Sequence, residues 1–156
     1  MDRALVHEAG HAIIALHLGF RVERIEIAHR FPRVIIANFG GKERTHAERY
    51  LVLAGGIANE SLSFGNYDQG ALGADQREIQ AKGGGPITDY VSDALQILNS
   101  NKSRLDLLVK RLSLNSIAAR VEAKFSPDPD SYEIMDAAQL AEIWGATREP
   151  NQRFQP

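Results

Sequence analysis

With 156 residues, 44% of them hydrophobic and 24% charged, the chain has the make-up of one globular domain and is too short to hold a second enzyme module beside the first. A formal net charge of -2 gives no electrostatic attraction to nucleic acid. No apolar run approaches the roughly 20 residues that span a bilayer. The absence of cysteine excludes disulfides and thiolate sites, so any metal must be held by histidine and carboxylate.

The opening MDRALVHEAGH lacks the basic stretch and cleavage site of a secretory leader, so a cytoplasmic location is expected. Asp2 caps a first predicted helix, in which Leu5, Ala9, Ala12, Ile13 and Leu16 recur at helical spacing and Gly19 supplies the stop. Two strands are predicted next, 21–28 (RVERIEIA) and 33–39 (RVIIANF), with Pro32 in the connection. Thr45 and Glu48 have the spacing of a capping box and open a second apolar helix, AERYLVLAGGIANESLSFG, ending near Gly65. Its Gly55-Gly56 pair costs about 1 kcal/mol per glycine relative to alanine, which predicts close approach of a neighbouring backbone, with Gly10 of the first helix as the natural counterpart.

Residues 66–73 read as a loop, 75–82 as a short helix, the GGGP at 83–86 as a break, and 88–100 and 102–114 as two more helices. A separate helical stretch is predicted at 117–124, a second break at 126–130 (SPDPD) and a last helix at 132–144. The expected fold is mainly α, with a small β-hairpin or short sheet after the first helix. Residues 1–145 form the expected domain and 146–156 a flexible polar tail.

Within the first helix, VHEAGHAIIALHLG contains H-E-x-x-H as His7, Glu8 and His11. Residues four apart lie one turn apart on one face, so the two imidazoles can grip one zinc ion. Glu8, about 100 degrees round the helix from His7, falls beside the metal as a general base. Catalytic zinc sites use three protein ligands, so one more is required. His17 occupies the last position of the metzincin pattern H-E-x-x-H-x-x-G-x-x-H, but Ile14 replaces the glycine that turns the chain. On a continuing helix His17 lies about 9 Å beyond His11 and off its face. Glu60 stands in NESLS, similar in part to the N-E-x-x-S-D helix of thermolysin-like enzymes, and suits either a ligand or a partner that orients a liganding histidine. Asp75 follows a glycine-containing loop at the start of a predicted helix, where an N-cap is its ordinary use. The chemistry of the residues does not choose between Glu60 and Asp75.

The stretches VHEAGHAIIAL, LAGGIANESLSFG and GALGADQREI, followed by SDALQILNSNKSRLDLLVKRL, together resemble the peptidase domain of the FtsH family of zinc metalloproteases, peptidase family M41, over most of residues 4–115. The resemblance implies a helical zincin-like fold, His7, His11 and Asp75 as zinc ligands, Glu8 as the catalytic glutamate, and hydrolysis of unfolded or partner proteins. The match is not uniform. The family aspartate lies two residues later than Asp75, which leaves Glu78 as an outlying alternative, and Ile57 and Ser61 replace an arginine and a glutamate of the family pattern. The family's peptidase domain follows a membrane anchor and an ATPase module, whereas no G-x-x-x-x-G-K-[ST] occurs here. The chain is thus expected to be a stand-alone relative, an excised domain, or the partner of a separate AAA ATPase, with a homo-oligomer allowed by the resemblance. Two ancillary roles are considered: His29 or His46 as helpers at the site, and the predicted strand at 34–39 as an edge to which an extended substrate adds. The alternative function is a zinc-stabilised interaction module or regulatory pseudo-peptidase with little turnover; the intact Glu8 argues against it.

Overall fold

A computed structural model describes residues 2–41, 44–123 and 131–146. Helix α1 (Arg3–His17) starts where expected, because the Asp2 side chain accepts from the backbone amides of Ala4 and Leu5. It ends at Gly19, whose φ of 82° is the left-handed geometry that a side chain disfavours. From Leu5 to Ala15 nearly every residue of α1 is buried, which marks it as the central helix of the domain. It contacts α2 (His46–Phe64), α4 (Thr88–Ser100), α5 (Lys102–Ala123) and the first two strands. The reciprocal capping box of Thr45 and Glu48 opens α2, and left-handed Gly65 closes it.

Strands β1 (Val22–Ala28), β2 (Phe31–Ile36) and β3 (Ser131–Asp136) form an antiparallel sheet in the order β2-β1-β3. The architecture is mainly helical, with six helices and three strands among the described residues. Ile13, Ile14, Ile57, Leu98, Leu108 and Met135 are among the side chains of one continuous core that joins the helices to the sheet.

The structure departs from the sequence expectations at four places. Strand β2 begins at Phe31 and contains Pro32, which was expected in the connection. Pro32 is tolerated there because β2 is an edge strand: Ala37 N bonds back to Arg21 O and Val34 N points away from β1, so by alternation the Pro32 nitrogen also faces outward and no ladder bond is lost. Helix α3 (Gln69–Ala81) begins within the expected 66–73 loop, because Asp68 caps it by accepting from Ala71 N at 2.8 Å. The predicted helices at 102–114 and 117–124 are one, α5, through Ala123; Asn115, in the gap between the two predicted stretches, is helical and bonds Ile134 O at 2.8 Å. The predicted helix at 132–144 divides into β3 and α6 (Ala137–Ala146), where Asp136 and Gln139 exchange bonds across the junction. Residues 126–130, Lys124 and the tail beyond Ala146 lie outside the described residues.

The expected glycine contact sets the spacing of α1 and α2. A Cβ on Gly10 would lie 2.1 Å from Gly55 O, and one on Gly55 would lie 2.8 Å from Gly10 O. Both obstacles are backbone, so neither can rotate away. Asn59 ties the pair further by donating to Val6 O at 2.7 Å. Replacing Gly10 or Gly55 with alanine is expected to destabilise the fold by about 1–3 kcal/mol, the usual range for overpacking, seen as a lower urea midpoint with unchanged slope.

Candidate metal centre

His7 and His11 are one turn apart on α1 and both face α2 and α3; they are 7% and 8% exposed. Each ring is fixed through its Nδ1. His7 Nδ1 lies 2.7 Å from Glu60 Oε2, and His11 Nδ1 lies 2.7 Å from Val52 O. A carboxylate and a carbonyl accept only, so both Nδ1 atoms carry the proton and both Nε2 atoms present a lone pair in the neutral imidazoles. Those Nε2 atoms are 3.0 Å apart. Asp75 Oδ2 stands 3.0 Å from His7 Nε2 and 3.4 Å from His11 Nε2.

Three acceptor atoms therefore meet in one small triangle with no donor of their own. Such a cluster requires a cation, either a proton or a metal. In tetrahedral zinc sites with bonds of about 2.0–2.2 Å, neighbouring ligand atoms stand about 3.3–3.5 Å apart. The observed edges of 3.0, 3.0 and 3.4 Å match that triangle after shifts of a few tenths of an ångström. The donor set of two imidazoles and one carboxylate is also the set zinc takes in hydrolytic sites. Without a metal the proton is held strongly. Burial opposes charge on His11, but the Asp75 carboxylate outweighs it and raises the His11 pKa to about 10. Burial likewise opposes the Asp75 charge, and His11 followed by His7 overcomes it and holds the carboxyl well below the usual carboxylate range.

Glu8 is half-buried beside the triangle, and one donor atom each of His7, Glu8 and His11 falls within 4.8 Å of the others. Its Oε2 accepts from Val34 N on β2 at 3.1 Å, which holds the carboxylate at the strand edge. Burial pushes its pKa up, while His11 and His7 pull it down.

Glu60 is not aimed at the triangle. It is 1% exposed, and both its oxygens are engaged: Oε2 with His7, Oε1 with Arg3 Nη1 at 3.1 Å and with Asp68 N at 3.1 Å. A buried carboxylate behind a liganding histidine fixes its tautomer and the orientation of its ring. Because Asp68 caps α3, the same carboxylate also ties down the helix that carries Asp75. Asp75 itself sits seven residues inside α3 and is not an N-cap. Glu78 is exposed on the rim of a neighbouring cavity. His17 is exposed and accepts from Asn101 Nδ2 at 3.1 Å. His29 lies in the turn between β1 and β2, and His46 packs against Tyr50 and Arg49; neither joins the triangle.

Three contributors could not be read from the sequence motif. Gly56 is the floor of the site, since a Cβ there would lie 2.3 Å from His7 Nε2 and 2.4 and 2.6 Å from its Cε1 and Cδ2. Arg3 holds Glu60, donates to Asn66 and stacks on Phe64 at 4.4 Å. The Val34 amide has no side-chain signature at all.

Two cavities flank the triangle and share Glu8 and Asp75. One, of about 380 Å³, is walled by Val34, Ile36, Phe39, Val52 and Leu53. Buried Arg49 supports that wall by donating to Phe39 O at 2.6 Å and to Gly41 O. The other, of about 560 Å³, is bounded by Arg3, Phe31, Pro32, Ala71 and Ala74. No helix among the described residues is long and apolar enough to cross a membrane. No protein-family model and no curated protein matches the sequence.

Zinc titration followed by elemental analysis is expected to find one ion per chain, with Asp75→Ala losing it. Glu60→Gln is expected to weaken zinc 10- to 100-fold while the fold persists by circular dichroism. Gly56→Ala is expected to weaken it as well, by displacing the His7 ring.

Proposed function

We propose that the chain is a zinc-dependent endopeptidase with a zincin-like, FtsH-type peptidase domain, hydrolysing peptide bonds in extended protein segments. The observation that carries this reading is the convergence of His7 Nε2, His11 Nε2 and Asp75 Oδ2 next to Glu8, at the free edge of β2. A site that only stabilised the fold would need its ligands but not a second carboxylate tethered beside them through a strand amide. It would also not need an open strand edge.

His7, His11 and Asp75 would hold the zinc, which would supply Lewis acidity to the scissile carbonyl and to water, whose pKa falls from about 15.7 to about 7 on such an ion. Glu8 accepts the proton of the attacking water and returns it to the leaving amine, so the same carboxylate acts as base and then as acid. Its hydrogen bond from Val34 N orients it for both transfers. Glu60, by fixing His7, keeps the Nε2 lone pair on target.

The substrate is bound as an added strand. By alternation the Ile36 N–H and the Val34 and Ile36 carbonyls face away from β1, and the apolar cavity under them takes a hydrophobic side chain. This mode reads backbone and suits unfolded polypeptides. A separate AAA ATPase that unfolds and delivers them remains compatible with this scheme.

On an unfolded, fluorescently labelled protein, Glu8→Gln is expected to lower the hydrolysis rate 10²- to 10⁴-fold, the usual worth of a general base, with zinc content unchanged. Chelation is expected to abolish the activity and added zinc to restore it. Equal rates in the native chain and Glu8→Gln would end the reading, and tight polypeptide binding without any turnover would favour the interaction module.

A further inference from the structure

We infer that Phe31 is a specificity-determining residue, gripping an apolar side chain of the bound polypeptide on one flank of the scissile bond. This rests on the peptidase reading and adds a substrate class to it: segments with a leucine, methionine or aromatic residue at a fixed distance from the cut.

Phe31 is 72% exposed and borders the cavity that also contains His7, Glu8 and Asp75. A lone exposed aromatic is ordinary. Two features of its surroundings are not. The first is the hydrogen-bonding capacity of β2 on this flank. Pro32 has no N–H, and the Val34 N–H is committed to Glu8. Phe31 and Arg33 turn theirs toward β1, as alternation requires. Between Phe31 and Val34 the free edge therefore offers a bound chain no amide donor, whereas past Val34 the Ile36 N–H faces outward. Past Val34 both an amide donor and carbonyl acceptors are free to pair with a substrate, whereas on the Phe31 flank the Pro32 carbonyl is the outward backbone group and side chains must supply more of the grip.

The second feature is the turn that presents the ring. Ala28 pairs with Phe31, so His29 and Arg30 alone make the hairpin loop, with φ of 49° and 73°. This two-residue turn requires left-handed geometry at both positions and favours Asn-Gly. Side chains larger than glycine resist that geometry at about 1–2 kcal/mol per residue. Strain of this kind concentrates where a site needs a fixed backbone. Here the geometry of the turn, which Asn-Gly would adopt without strain, sets the first residue of β2 at the mouth of the cleft.

The test has two arms. In the zinc-loaded Glu8→Gln background, a labelled, reduced and alkylated protein is titrated by fluorescence anisotropy. Phe31→Ser is expected to raise Kd about tenfold and Phe31→Leu to keep it within about twofold. His29→Asn combined with Arg30→Gly, which relaxes the turn but keeps the ring, is expected to leave Kd unchanged and raise the urea midpoint. In the Glu8-intact chain, cut sites on the same protein are mapped by mass spectrometry. Apolar residues are expected to be enriched at one position on one flank, and Phe31→Ser to erase that enrichment. Unchanged Kd or unchanged cut sites in Phe31→Ser overturn the inference, as does an equal loss in the relaxed-turn variant. Absence of any cleavage by the native chain counts against the peptidase reading alone, and the binding arm then decides for Phe31.

Discussion

The backbone contact between α1 and α2 is the constraint on which the site depends. Gly10 and Gly55 bring the two helices so close that a methyl group on either would meet a carbonyl oxygen. At that separation a stripe of α2 residues spaced four apart, Val52, Gly56 and Glu60, lies against His7 and His11, which have the same spacing on α1. Each member of the stripe has one task. Val52 accepts from His11, Gly56 leaves room for the His7 ring, and Glu60 accepts from His7. A wider gap would lose all three together, because an imidazole has no slack to follow a receding partner.

Glu60 extends this constraint to the third helix. It holds the amide of Asp68, and Asp68 caps α3 two turns before Asp75. The positions of His7 and Asp75, which come from segments far apart in the chain, are thus set against one buried carboxylate. Burying such a charge is costly unless it is fully bonded. Here His7, Arg3 and the Asp68 amide engage both of its oxygens. Those bonds give Glu60 an orienting role, since its Oε2 meets His7 at Nδ1, across the ring from the Nε2 that faces the triangle.

What was legible in the sequence was local. The H-E-x-x-H face, the capping box and the need for a close neighbour at Gly55 follow from helical periodicity and glycine's missing side chain. The choice between Glu60 and Asp75 was not local, because it depends on which way each carboxylate turns after the helices pack. The start of α3 was misread because Asp68 caps a helix whose first turns contain Gly70 and Gly73, residues that read as loop. Strand β3 was misread as helix because its tendency to extend is satisfied only by the edge of β1, about a hundred residues earlier. Val34 illustrates the limit most plainly: its contribution is a main-chain amide, and no residue letter encodes that.

In the proposed peptidase the edge strand carries two roles that compete for the same groups. A strand that only recognised extended polypeptide would keep all its outward amides free, and a strand that only held Glu8 would need none beyond Val34. Strand β2 gives Val34 to Glu8 and has proline at position 32, so its recognition capacity is displaced toward Ile36 and its carbonyls. A cleft built this way is directional even though both flanking cavities touch Glu8 and Asp75. In that reading one side pairs with the peptide backbone over an apolar floor of Val52 and Leu53, and the other presents an aromatic ring on a strained turn. The asymmetry follows from a single hydrogen bond: tethering the acid group to the strand removes from that strand the donor it would otherwise offer a chain bound beside Glu8.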